Sequence, residues 1–222
     1  MSNIDEKVVE KIEKGRQYRN LQSFNFETRA KEDGTDEMIV TGHACTFEEP
    51  YLLFRMGDYE VYEQIARNAF DKCDMSDVIM QYDHSGRVFA RNRNDTLTLN
   101  IDDRGLAIRA DLSGTAAGQE LYKEISNGYI DRMSFGFHVA GEERTTEESY
   151  GDDSVYRVKV LRTITDIDKL YDVSAVSIPA NDATDISART AANGLIEAVE
   201  MELSEARNMK LLTARAKALL AL

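Results

Sequence analysis

The stretch TLTLNIDDRGLAIRADL, residues 96–112, limits most sharply what this chain can fold into. Leu97, Leu99 and Ile101 alternate with polar residues before the DDRG tetrad, and Leu106, Ile108 and Ala110 alternate after it. A period of two puts each apolar set on one face of a strand, and a turn-forming tetrad between them folds the pair antiparallel. The chain therefore contains at least one hairpin with a buried face, and the same periodicity recurs elsewhere. FNFETRA (24–30) and MIVTGHACTF (38–47) flank the turn-like EDGTDE and predict two neighbouring strands. DVIMQYDH (77–84) predicts a strand running into Ser85-Gly86, and VYRVKVLRTI (155–164) and YDVSAVSI (171–178) predict two more, the last closed by Pro179.

Helical spacing appears between and outside these strands. Ile4, Val8, Val9 and Ile12 predict a charged, peripheral helix over 4–19. Residues 59–73 carry Val61, Ile65, Ala69 and Phe70 at helical intervals, or else form an irregular strand followed by a short helix. Leu121, Tyr122 and Ile125 share one face of a helix over 115–128, with Gly128 placed to end it in the left-handed conformation. Residues 141–153, polar and acidic, read as a surface loop. From Asp185 a long amphipathic helix carries Leu195, Val199 and Leu203 on its stripe, continued by Met209, Leu212, Ala216 and Leu219, with Gly194 a weak point near its start. No internal repeat of fixed period is seen. The expected class is α+β: a β-rich, mainly antiparallel core of about six to eight strands over residues 24–180, with helical extensions. The expected division is a helical N-terminal extension (1–22), a β domain (23–184) and a helical tail (185–222).

Totals narrow the partners. With 27 basic against 40 acidic residues the formal charge is −13, so bare nucleic acid would be repelled. No apolar run approaches the roughly 20 residues of a membrane span, and the charged start MSNIDEKVVEKIEKG is unlike a secretory signal. A cytoplasmic protein without nucleic-acid or membrane partners is expected. Cys45 and Cys73 are too few for a disulfide framework and lack metal-ligand spacing, so two reduced thiols are the simpler reading. Neither a metal nor a cofactor is expected; no glycine loop has a phosphate-binding form.

Chemistry is suggested at YIDRMSFGFHV, residues 129–139. Met133, Phe135, Phe137 and Val139 fall on one strand face, and Ser134, Gly136 and His138 on the other. The glycine leaves Ser134 Oγ unshielded along its own strand. A serine nucleophile needs a base and a group to orient that base. Of the three histidines, His84 sits at a strand-to-turn edge where a cleft can reach it, although an ordinary turn histidine fits the same position. His43 lies among apolar neighbours, and two residues along a strand is poor geometry for proton transfer with Cys45. His138 is roughly 13 Å from Ser134 at strand rise. Among carboxylates, Asp172 opens an apolar strand where a lone charge would be costly, while Asp166 and Asp168 read as loop residues just before it.

The succession QYDHSGRVFARN, DRGLAIRADL, EISNGYIDRMSFGF and YDVSAVSIPAN resembles the prohead proteases of tailed bacteriophages. The resemblance spans about residues 24–182. It implies a barrel like that of the herpesvirus assemblin proteases, with His84 as general base, Ser134 as nucleophile and Asp172 as third member, Asp168 being its rival. Two positions depart from the family pattern: Ser85 stands where an acid usually follows the histidine, Asp83 preceding it instead, and Asp172 stands where glutamate is common. The resemblance further implies a serine endopeptidase acting inside the assembling procapsid in the host cytoplasm. Its partners would be the major capsid protein, whose scaffolding segment it cuts, and itself as a substrate, with room for self-association. The oxyanion amides would lie near Asn181 to Thr184, and Arg87 and Arg91 are candidates for shaping the site. A non-catalytic scaffolding protein is the main alternative; a general serine hydrolase is a weaker one, since no G-x-S-x-G elbow is present.

Overall fold

The computed structural model describes residues 16–21, 27–30, 36–149, 157–177 and 186–220. In chain order they form β1 (Gln17–Leu21), β2 (Glu27–Ala30), β3 (Asp36–Thr46), β4 (Tyr51–Met56), β5 (Tyr59–Ile65), β6 (Ile79–Tyr82), β7 (Ser85–Arg91), β8 (Leu97–Ile101) and β9 (Gly105–Asp111). Helix α1 (Ala116–Ser126), β10 (Arg132–Glu148), β11 (Val158–Val176) and helix α2 (Ile186–Leu220) follow. The β-rich α+β class is as expected. One sheet runs β1-β10-β11-β5-β4, with β6 pairing both β11 and β7; a second runs β2-β3-β9-β8. An isolated bridge joins Phe47, just past the end of β3, to Ile65 at the end of β5, and among the described residues the strand order closes no barrel.

The hairpin at 96–112 forms with Leu97 opposite Ala110, Leu99 opposite Ile108 and Ile101 opposite Leu106. Strands β2 and β3 pair antiparallel, as the alternation predicts. Helix α1 begins where the Thr115 hydroxyl accepts from Gly118 N (3.0 Å). It ends with Gly128 at φ 74°, its N–H donating to Ile125 O while Tyr129 N–H donates to Glu124 O, the paired bonds of a Schellman motif.

Three expectations change, and one open choice is decided. Residues 4–15 of the helix expected over 4–19 lie outside the described residues, and 17–21 are strand β1, paired with β10 from Gln17–Phe137 to Leu21–Met133. Of the two readings left open for 59–73, the strand holds over 59–65, where Val61, Glu63 and Ile65 are all buried with period two, while turns replace the helix after it; a buried glutamate hides that period from a hydropathy reading. Of the loop expected at 141–153, residues 141–148 are strand, because β10 continues to Glu148 over 17 residues beside β11, and 150–153 lie outside the described residues. The two strands expected at 155–164 and 171–178 are one 19-residue strand that also contains Asp166 and Asp168. Its inward–outward alternation slips at Thr165-Asp166 and again at Asp168-Lys169, which is why the sequence looks interrupted there. Residues 178–185, with Pro179 and the Asn181–Thr184 segment, lie outside the described residues.

The chain divides into two compact units. The first, Met1–Tyr51, Tyr62–Thr145 and Leu161–Ala180, holds a single apolar cluster that includes Val40, Ile108, Leu121, Met133, Phe135, Phe137, Ile164 and Val173. Phe135 and Phe137 stack at 4.5 Å between ring centroids and are fully buried. This is the apolar face of the serine-bearing strand. The second unit, Leu52–Val61, Thr146–Val160 and Asn181–Leu222, packs Ala192 and Val199 of α2 with Phe54, Val61, Val158 and Val160.

Candidate active site

Three neighbouring elements of the first unit converge on Ser134. Strand β10 carries the serine near its start, and its neighbour β11 carries Asp172. On the other side of that part of β11, β6 pairs parallel to it, Asp172 opposite Ile79 and Ala175 opposite Tyr82. The turn after β6 carries His84. Only Asp83 and His84 separate β6 from β7, where Tyr82 pairs with Ser85, and both have positive φ, 46° and 53°. That is the backbone of a type I′ hairpin turn, usually occupied by asparagine and glycine. Non-glycine residues in this region are uncommon, and a histidine held there implies surroundings that fix it. The surroundings are Asp83's: its N–H donates to Ala175 O, and its carboxylate accepts from Ser177 N and Ser177 Oγ, each at 3.1 Å. The turn is thus fastened to the end of β11.

Held in this way, His84 Nε2 lies 2.5 Å from Ser134 Oγ and Nδ1 lies 2.5 Å from Asp172 Oδ1. Ser134 is 0% exposed and Asp172 1%, while the His84 side chain keeps 14% of its surface. Ser174 Oγ donates to Asp172 Oδ1 at 2.8 Å. The other carboxylate oxygen, Oδ2, has no hydrogen-bond partner among the described residues. It lies over Gly136, where an added Cβ would come within 2.3 Å of it. Gly136 therefore does more than leave the serine unshielded. It vacates the space that the aspartate occupies.

Every histidine in the chain faces an aspartate, yet they are not equivalent. His43 Nε2 is 2.9 Å from Asp102 Oδ2, and His138 Nδ1 is 2.7 Å from Asp168 Oδ1. Only His84 also contacts a serine hydroxyl among the hydrogen bonds found. Asp168 belongs with His138 on an exposed part of β10 and β11, so the structure brings Asp172, not its rival, to His84. The Cys45 thiol is fully buried, and burial pushes it up to about 12, which leaves no thiolate for a dyad with His43. Arg91 is committed to a two-pronged bond with Asp77, at 2.6 and 2.5 Å, and Arg87 is an exposed residue of β7.

Sequence reasoning missed two contributors from β1 and β11. Tyr18 sits opposite Gly136, and its ring lies 4.2 Å from the His84 imidazole, centroid to centroid. Burial, with the Asp172 charge second, pushes the Tyr18 hydroxyl up to about 12. Expecting a helix through 19 concealed it. Ser174 was open to discovery, since it stands two residues from Asp172 on one strand face.

Beneath the same strands, Arg19 is held by fully buried Glu63: Arg19 NH2 donates to Oε2 at 3.0 Å, and Arg19 Nε and Tyr51 Oη contact Oε1. Arg162 NH1 donates to Oε2 at 2.5 Å. Burial alone would raise the Glu63 carboxyl, but Arg19 and Arg162 hold it below its ordinary value. This network fastens β1, and with it Tyr18, to the sheet.

Comparison with curated proteins and with solved structures returned no match. The family model for the caudovirus prohead serine protease, by contrast, matches residues 24–198, a stretch that takes in Ser134, His84 and Asp172, and the chain belongs to that family of phage head-maturation proteases.

Proposed function

We propose that the chain is a serine endopeptidase in which Ser134 is the nucleophile, His84 the general base and Asp172 the group that orients it. The observation carrying this reading is the continuous contact from Asp172 Oδ1 through both imidazole nitrogens to Ser134 Oγ. With Nδ1 protonated and donating to Asp172, Nε2 is free to take the hydroxyl proton as Oγ attacks a peptide carbonyl. The imidazolium then returns that proton to the departing amine, leaving an acyl-enzyme, and water attacks by the same route to free Ser134. Backbone N–H groups stabilising the oxyanion would each contribute about 3–4 kcal/mol. The reaction needs no cofactor.

Family membership supports a role in head maturation, and on this reading the substrates are the scaffolding part of the major capsid protein and the chain itself, cut within the procapsid. The reading keeps the kinship to the assemblin fold for the β-rich region 23–184, with β1 added at the sheet's end, and treats 185–222 as an extension. Co-expression with the capsid protein, read by intact mass spectrometry, tests it. Ser134→Ala and His84→Ala are each expected to abolish cleavage of both chains while leaving the thermal melt within a few degrees of the parent. A Ser134→Ala chain that still supports processing would instead favour a scaffolding role.

A further inference from the structure

We propose that Ser174 is a positioning residue that fixes the rotation of the Asp172 carboxylate, and so the plane it presents to His84. The inference rests on the triad reading above and extends it. Asp172 has two chemically equivalent oxygens, and rotation about its last side-chain bond exchanges them. The structure treats them unequally. Oδ1 receives both the imidazole and the Ser174 hydroxyl, at 2.5 and 2.8 Å, whereas Oδ2 receives no hydrogen bond among the described residues and rests over Gly136.

Ser174 is itself 0% exposed, so water does not compete for its proton. Residues 172 and 174 lie on one face of β11, both clamped by the parallel pairing to Ile79 and Gln81. The hydroxyl is therefore aimed by backbone geometry and not by a mobile loop. A hydrogen bond to a charged acceptor in a dry site is stronger than a neutral one, and here it favours the single carboxylate rotamer that faces Nδ1. Removing the donor lets the carboxylate turn, and the imidazole loses its fixed orientation.

A buried serine that only satisfies its own hydroxyl would affect stability alone, so the test reads chemistry and coupling. Saturation labelling of the full chain by a fluorophosphonate separates the limiting rate, kinact, from the binding term, KI. Ser174→Ala is expected to lower kinact about tenfold with KI within about twofold, the size expected for one hydrogen bond to a charged group. In an Asp172→Ala background the same change is expected to have no further effect, because Ser174 acts through the missing carboxylate. Ser174→Thr, which keeps the donor, is expected to recover most of the rate even if its extra methyl lowers the melt. Parental kinact in Ser174→Ala, or losses that multiply in the double variant, would overturn the inference. Parental labelling of Ser134→Ala would overturn the triad reading itself; with that variant unlabelled, a parental Ser174→Ala removes only the role of Ser174.

Discussion

At the scale of single residues, the site depends on a side chain that is absent. Gly136 is in ordinary extended backbone, so conformational freedom is not what requires it. The requirement is space: a Cβ would meet Asp172 Oδ2 at 2.3 Å and the Tyr18 ring at 2.8 Å. Gly136→Ala is expected to push the carboxylate off Nδ1 and lower labelling of Ser134 by about 100-fold, the cost typical of an ångström of misplacement, while circular dichroism remains that of the parent. Asp83 acts on the imidazole from the backbone side. Asp83→Ala removes both bonds to Ser177 and is expected to cost about 1 kcal/mol in urea unfolding and about tenfold in labelling rate, since the left-handed turn loses its fastening.

The strands show which parts of this arrangement a sequence can disclose. The 96–112 hairpin was fully legible because each apolar residue has an apolar partner across a strong turn. Ser134 was legible as a candidate because its own strand separates a phenylalanine face from a small-residue face. The choice between Asp168 and Asp172 was not. One slip of phase in β11, at Asp168-Lys169, intervenes, so counting by twos from either residue gives the wrong face for the other. Strand β5 was half legible, left open between a helix and an irregular strand, for a different reason: Glu63 occupies a core position, which the remote Arg19 and Arg162, with Tyr51, make tolerable. Helix α2 divides differently. Its first half supplies Ala192 and Val199 to the second unit, while residues 204–217 are exposed. A chain ending at Leu203 is expected to lose less than about 1 kcal/mol of stability by urea unfolding, since the contact of Arg207 with Glu148 is a surface ion pair.

For the whole molecule, the Glu63 network links stability to pH. Its carboxyl titrates lower when folded than when unfolded, so its contribution is complete above the ordinary glutamate value and disappears as pH falls through the depressed one. Glu63→Gln is expected to destabilise the chain by about 3–5 kcal/mol near neutrality, because two guanidinium groups lose their buried counter-charge. It is also expected to flatten the acid limb of stability measured by urea titration at successive pH values. The zero exposure of Ser134 has its own consequence. On the proposed reading, a peptide carbonyl reaches Oγ only with movement of the atoms packed around it, so encounter with a peptide bond does not by itself suffice for hydrolysis.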